Sequence, residues 1–126
     1  MINYVVREKF NPQLPEDPRK FYGMAKSLGI VEIREIAEQI SLETSLGTSD
    51  VLAVLESLLI NIPKNLRKGY IVKIRDFGTF KLSMSTSGAP TKEEFQTAMI
   101  KKTKIHFTPD QLFTNSLLRL EFRKVI

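Results

Sequence analysis

The chain has few side chains that could perform catalysis or bind a metal ion. It contains one histidine, His106, and no cysteine, which excludes cysteine nucleophiles, thiolate metal sites and disulfides. His106 has no HxxxH or HExxH partner, so we expect it to be structural or exposed. Glu35 and Glu38 fall on the outer face of an acidic helix, and the glycines form no phosphate-binding loop. We therefore expect no enzymatic activity, no metal and no cofactor.

Basic residues are the remaining candidates for a binding function, and they are concentrated in the C-terminal half. The formal net charge is +5, but residues 32–60 contain one basic and six acidic residues, whereas residues 61–126 contain thirteen basic and five acidic ones. A polyanion would therefore bind the C-terminal half. The alternative is that these side chains serve only solubility, and composition does not choose between the two.

Length and hydropathy restrict the class of protein. A chain of 126 residues with 42% hydrophobic content supports one domain with a modest core. No segment approaches the roughly 18 apolar residues of a membrane span, and no signal-peptide pattern is present. We expect a soluble, cytoplasmic protein without a membrane partner.

Apolar spacing predicts the elements of the N-terminal half. Residues 2–10 are rich in β-branched and aromatic residues and predict a strand, with residues 21–28 as its hairpin partner. Helical spacing from Glu32 to about Ser45 predicts an amphipathic helix. A second helix follows, with its N-cap and acidic first turn supplied by Thr48, Ser49 and Asp50.

The second helix has apolar residues on more than one side, which indicates burial against more than one partner. The apolar positions include Leu52, Leu55 and Leu59. Because so short a chain offers little further surface to cover them, we expect a second copy to do so in a homodimer. Gly69 marks the end of this helix.

The C-terminal half predicts a hairpin followed by three elements. Residues 70–75 and 79–84 alternate as strands around a turn, in which Gly78 is expected to take a positive φ. Thr91 to Glu94 has the spacing of a capping box. The remaining predictions are a strand at 100–107, a short helix from Pro109 to Asn115 and a strand at 117–124.

The segment GYIVKIRDFGTF, residues 69–80, resembles the signature of the HU/IHF family of bacterial histone-like proteins. The matching positions are Gly69, Val72, Ile74, Phe77, Gly78 and Phe80. The resemblance extends from about residue 30 to 115, through both helices and on to Phe107-Thr108-Pro109. The order of helix, helix, hairpin, arm and strand makes it more specific than any single motif.

This resemblance implies an α+β fold, with two helices packed on an antiparallel sheet that carries a protruding β-arm, as an intertwined homodimer. It implies one HU-like domain over 1–126, with an N-terminal hairpin extension (1–30), a core (31–115, arm about 82–100) and a C-terminal strand (116–126). Phe77 and Phe80 would pack beneath the helices. The dimer and core residues are then expected to be Leu52, Leu55, Leu59, Phe77, Gly78 and Phe80.

The resemblance also implies binding of double-stranded DNA in the bacterial nucleoid, by shape and backbone rather than by sequence. The residues expected to contact phosphates are Lys73, Arg75, Lys81, Lys101, Lys102 and Lys104. The arm tip differs from the family pattern, because it reads TSGAPTKEE instead of a basic run with an intercalating proline. Glu93 and Glu94 would repel phosphates, and we do not expect Pro90 to intercalate. DNA binding should therefore be weaker than in a typical HU protein, or differently placed.

The chain ends also differ from ordinary HU proteins and resemble an HU-like subgroup common in Bacteroidetes. Residues 2–28 and 117–124 could form one small sheet. Such a sheet could extend the dimer surface, contact DNA or recruit a protein by strand addition, and the sequence does not choose among these. The main alternative to DNA binding is a dimeric HU-fold scaffold that has lost most DNA binding.

Overall fold

The computed structural model describes residues 1–126 and has three α-helices and two three-stranded sheets, in agreement with the expected α+β class. The helices are α1 (Ile33–Glu43), α2 (Thr48–Arg67) and α3 (Gln111–Asn115), with a 3₁₀ helix at Thr97–Met99. The strands are β1 (Ile2–Lys9), β2 (Lys20–Lys26), β3 (Val72–Ile74), β4 (Gly78–Thr86), β5 (Ile100–Pro109) and β6 (Phe122–Lys124).

The chain divides into two compact units, a terminal unit of residues 1–32 and 117–126 and a central unit of residues 33–116. The terminal unit contains the sheet β2-β1-β6, and the central unit contains the helices and the sheet β3-β4-β5. The assignment of the whole chain to one HU-like domain, with the boundaries given above, stays a prediction.

The terminal sheet joins the two ends of the chain, as the sequence predicts. β1 pairs antiparallel with β2 from Asn3↔Lys26 to Lys9↔Lys20, and parallel with β6. β6 is much shorter than the predicted strand at 117–124. The reason is local, because Arg119 has a φ of 61° and a left-handed residue interrupts an extended strand.

The two long helices form at the predicted positions, but the first residue of α2 is capped differently. Gly47 occupies the N-cap position without any side-chain hydrogen bond, so Thr48 is already helical and the predicted hydroxyl or carboxylate cap is wrong. Asp50 lies in the first turn, where a negative charge is favourable. Gly69 follows the helix with a φ of 94°, which is the left-handed conformation that ends many helices.

The turn between β3 and β4 corrects the role predicted for Gly78. The positive φ belongs to Asp76, at 64°, a residue type that tolerates this region. Gly78 is buried, and a Cβ there would lie 2.6 Å from the Phe107 ring and 2.7 Å from the Thr108 carbonyl oxygen. Glycine is therefore required at position 78 by close packing and not by backbone conformation.

Four phenylalanines pack together on one side of the central sheet. Phe77 lies 5.2 Å from Phe107 and 5.1 Å from Phe113 between ring centroids, and Phe80 lies 4.8 Å from Phe107. Offset and edge-to-face pairs at such distances contribute about 0.5–1.5 kcal/mol each beyond the burial of area. This aromatic cluster connects β4 and the turn before it to β5 and α3.

Asp110 connects the same region through hydrogen bonds. One carboxylate oxygen accepts from the Gln111 amide at 3.2 Å, and the other accepts from the Asp76 amide at 3.1 Å. Asp110 is thus the N-cap of α3, which does not begin at Pro109 as predicted, because Pro109 is the last residue of β5 and pairs with Gly78.

Replacing Gly78 with alanine should destabilise the central unit, because the added methyl group overlaps the Phe107 ring and a backbone oxygen. We expect a loss of about 1–3 kcal/mol in the free energy of unfolding, measured by urea denaturation. Gly88→Ala is the matched control, since a Cβ at Gly88 meets nothing within 4 Å, and it should change stability by less than about 0.5 kcal/mol. Equal effects of the two variants would contradict the packing argument.

Candidate nucleic-acid interface

Strand register sorts the side chains of the central sheet onto two chemically different faces. On one face, Phe80 pairs with Phe107, Leu82 with Ile105 and Met84 with Thr103. On the other face the strands carry no carboxylate. We call this second face the central basic face, and its residues are Lys73, Thr79, Lys81, Ser83, Ser85, Lys102, Lys104, His106 and Thr108.

The lysines of the central basic face occupy neighbouring positions of the ladder. Lys81 lies opposite His106, Lys104 opposite Ser83, and Lys102 opposite Ser85. Directly opposed residues in an antiparallel pair have Cβ atoms about 4.5–5.5 Å apart, so these side chains share one surface. All four lysines of the face are exposed, and none forms an ion pair.

The structure brings together four of the six basic residues that the sequence analysis selects, namely Lys73, Lys81, Lys102 and Lys104. Lys101 has no partner in the ladder, because the register shifts between Ser85 and Thr86. Such a bulge changes the direction of the extra side chain. Arg75 lies beyond β3, and its Nε is 3.9 Å from the carboxylate of Asp76, which partly offsets its charge.

His106 belongs to the central basic face, which the sequence analysis did not anticipate. Its Nε2 lies 2.6 Å from the Oγ of Ser83 on the neighbouring strand. The pair is exposed, so the imidazole is held at the surface between lysines. The signal was present in the sequence, because His106 precedes Phe107 in an alternating strand and must point away from the phenylalanine side.

The segment between β4 and β5 carries charges of both signs. The Ser87 amide donates to the Met99 carbonyl at 2.9 Å, which extends the pairing by one bond. At the capping-box spacing, the Glu94 amide donates to the hydroxyl and the carbonyl oxygen of Thr91, each at 3.3 Å, and the segment forms a turn. Lys92, Glu93 and Glu94 give this segment more negative than positive charge.

One chain leaves much of the apolar surface of the central unit uncovered. On α2, Val54 is 63% exposed, Leu59 58% and Ile60 67%, while Leu52 and Leu55 are half-buried. Only Ala37, Val51 and Leu66 are apolar and buried. Exposed apolar surface of this extent is characteristic of proteins that bury it against a partner.

The structure contains no cluster of metal-binding side chains. No group of three or more histidine, cysteine, aspartate or glutamate residues is arranged to hold a metal ion. No helix has both the length and the apolar content needed to cross a bilayer.

The chain matches a known family along almost its whole length. The model of the HU-HIG family, described as an HU domain fused to a wHTH, Ig or glycine-rich motif, matches residues 1–124. No curated protein matches the sequence.

The fold is also similar to that of a solved structure from Bacteroides vulgatus ATCC 8482, described as a "Putative bacterial DNA binding protein". The TM-score is 0.63 at 6% sequence identity, and the match covers 98% of this chain and 48% of that one. This chain therefore spans about half the length of that protein, and the likeness at this identity is one of fold.

The hydrogen bond between Ser83 and His106 should make a small, measurable contribution to stability. Ser83→Ala removes an exposed hydrogen bond across two strands, and we expect a loss of about 0.5–1 kcal/mol in the free energy of unfolding at equal protein concentration. Ser85→Ala is the control, because Ser85 lies on the same strand face and forms no such bond. A loss as large for Ser85→Ala would show that the hydrogen bond is not the cause.

Proposed function

The chain belongs to the HU-HIG family of HU domains fused to other motifs, and from this premise we propose that it is a non-catalytic, architectural DNA-binding protein. It acts as a dimer in the bacterial nucleoid, in the cytoplasm, and it binds duplex DNA largely without regard to sequence. The central basic face contacts the phosphates, and the arm of about residues 82–100 contributes through its base rather than through its tip.

The single observation that carries this proposal is the segregation of lysines on the central basic face. Lys81, Lys102 and Lys104 are exposed on adjoining strands, without carboxylate partners. Lysine is a compact charge that contacts phosphate without reading bases. Such contacts release counterions from DNA, so binding is strong at low salt and independent of sequence.

The arm tip supports binding without intercalation. An intercalating wedge needs an apolar side chain at the tip, together with basic residues that hold the flanking phosphates. Here Pro90 is followed by only one lysine, Lys92, and then by Glu93 and Glu94, which repel the DNA backbone. We infer that the protein binds the outer surface of the duplex and bends it less than an intercalating arm would.

Dimer formation is supported by the exposed apolar surface of α2. Val54, Leu59 and Ile60 are all more than half exposed in one chain, and burying apolar area releases about 25 cal/mol per Å². A second copy is the occupant that a self-complementary helix surface favours. Leu52, Leu55 and Leu59 are then interface or core residues of the dimer.

The second candidate function is an HU-fold scaffold that has lost most DNA binding and recruits a protein instead. Two observations favour it, namely the acidic residues at the arm tip and the exposed phenylalanines of the terminal sheet, Phe21 at 68% and Phe122 at 64%. A protein partner could also add a strand to the outer edge of β2. The absence of DNA binding even at low salt would favour this function over the first.

Neutralising the central basic face should weaken DNA binding and reduce its dependence on salt. For Lys81→Gln with Lys102→Gln and Lys104→Gln, we expect at least about a tenfold loss of affinity for random-sequence duplex at about 0.1 M salt. The slope of log K against log salt should become shallower by about 2 to 3. Fluorescence anisotropy across a salt series measures both quantities.

Two matched variants sharpen this test. Lys92→Gln with Glu93→Gln leaves the net charge of the arm tip unchanged and should change affinity by less than about twofold, whereas Glu93→Gln with Glu94→Gln should tighten binding by removing repulsion. Unchanged affinity and slope in the triple lysine variant would refute the central basic face as the binding surface.

The dimer predicts a mass of twice 14.4 kDa by light scattering at micromolar concentration. Leu59→Glu should shift the protein toward the monomer, because it places a charge in the apolar surface that the second copy covers. Gln39→Glu is the control, because Gln39 is an exposed polar residue of α1 and is not assigned to the interface. A monomeric wild-type protein, or equal effects of the two variants, would contradict this assignment.

A further inference from the structure

The two faces of the terminal sheet differ in charge and polarity, as those of the central sheet do. β1 directs Asn3, Val5, Arg7 and Lys9 to one side, and Ile2, Tyr4, Val6 and Glu8 to the other. The residues of β2 and β6 that pair with these residues of β1 point to the same side, so the first side spans all three strands. We call it the terminal basic face, and its residues are Asn3, Val5, Arg7, Lys9, Lys20, Tyr22, Met24, Lys26 and Arg123.

We propose that the terminal basic face is a second binding surface for the phosphate backbone of duplex DNA. It is separate from the central basic face and can be tested independently of it. The proposal rests on the proposed function, and the register of β1, β2 and β6 defines the surface.

Charge segregation is the first argument for the proposal. The strands carry six basic residues in this sheet, and five of them point to the terminal basic face, while Lys124 lies on the opposite side with Tyr4. All five are exposed and none forms an ion pair. A solvated strand face could carry carboxylates among its lysines and arginines, whereas five cations without one give the positive potential that attracts a polyanion.

The opposite face explains why the charges are not distributed evenly. It carries Ile2, Tyr4, Val6, Phe21 and Phe122, which is an apolar composition, with Glu8 beside them. One carboxylate borders the terminal basic face, that of Asp17 in the loop after β1, which lines a depression of about 110 Å³ together with Lys9 and Lys20.

The positions of the charges fit a double-stranded backbone. At one end, Lys26 and Arg123 flank Asn3 on either side, and at the other end Lys9 faces Lys20 beside Arg7. Asn3 and Arg7 are four positions apart along β1, a rise of about 13 Å. This spacing is close to the roughly 12 Å width of the major groove of B-DNA, so each charged end can contact one side of the groove.

The middle of the face favours backbone contact over base recognition. Val5 and Met24 occupy it, in a depression of about 520 Å³ that Arg7, Lys26 and Ile126 also line. Apolar side chains offer no hydrogen bonds to distinguish base edges. A single tyrosine, Tyr22 at 48% exposure, is too little aromatic surface for the successive stacking that single-stranded nucleic acid requires.

The test is a duplex-binding titration across a salt series with Arg7→Gln, Lys9→Gln and Lys20→Gln combined. We expect about a tenfold loss of affinity, and a salt slope that is shallower by about 2 to 3. The control is Arg19→Gln with Arg119→Gln and Lys124→Gln, which removes the same charge from the same unit outside this face, and it should change affinity by less than about twofold. Circular dichroism melting checks that both proteins fold.

A finer comparison uses adjacent residues of β6. Arg123→Gln should weaken duplex binding about two- to threefold and make the slope shallower by about one, whereas Lys124→Gln, on the opposite face, should do neither. Equal losses for the two single variants, or for the two triple variants, would overturn the proposal. Loss of single-stranded DNA or RNA binding without loss of duplex binding would also overturn it.

These outcomes are distinct from a failure of the proposed function. If the variants of the terminal basic face bind like the wild type while the Lys81, Lys102 and Lys104 variant is impaired, the second surface is refuted and the first stands. If only the terminal variants are impaired, the second surface stands and the role of the central basic face is refuted.

Discussion

The contact between the Phe107 ring and the backbone at Gly78 fixes the register of β4 and β5. Any side chain at residue 78 would meet that ring at 2.6 Å, and the ring is held from its other sides by Phe77 and Phe80. A slip of one residue would move every side chain of a strand to the opposite face. The phenylalanine cluster thus also determines that Lys81, Lys102 and Lys104 share a surface turned away from the core, and the position of His106 follows from the same register.

Strand register also determines the face to which each side chain points in the terminal unit, where different contacts fix the register. There the long antiparallel pairing of β1 and β2, together with the short parallel strand β6, separates an apolar side from a basic side. The protein thus presents two sheets, each with cations on one face and hydrophobic side chains on the other. In both units the basic surface is a consequence of burying or grouping apolar residues, because alternation along a strand gives the polar residues nowhere else to point.

Local patterns were sufficient for most elements of the fold. The helices followed from apolar spacing, and the hairpin at residues 70–84 followed from alternation on both sides of a turn. Two of the features that the sequence analysis missed depend on residues distant in the chain. Asp76, rather than Gly78, takes the positive φ, and its amide is held by Asp110, 34 residues away. The helix α3 starts late because Pro109 is occupied in the sheet.

The binding residues were predictable by type but not by arrangement. Composition located the lysines, yet only the register shows that Lys101 is removed from the ladder by a bulge and that Arg75 is beside Asp76. In the terminal sheet, the sequence positions of lysines and arginines did not distinguish among extending the dimer surface, contacting DNA and recruiting a protein. The face to which each side chain points depends on which strands pair.

The outer edge of β2 affects how copies of the protein can associate with one another. Nothing in the chain pairs with this edge, and an open edge can recruit other copies into an aggregating sheet. The strand begins with Lys20 and ends with Lys26. If two copies paired along this edge in antiparallel register, each Lys20 would face a Lys26, so ammonium groups would repel at both ends. The lysines therefore disfavour pairing of two copies along this edge, while leaving the surface of α2 free to associate.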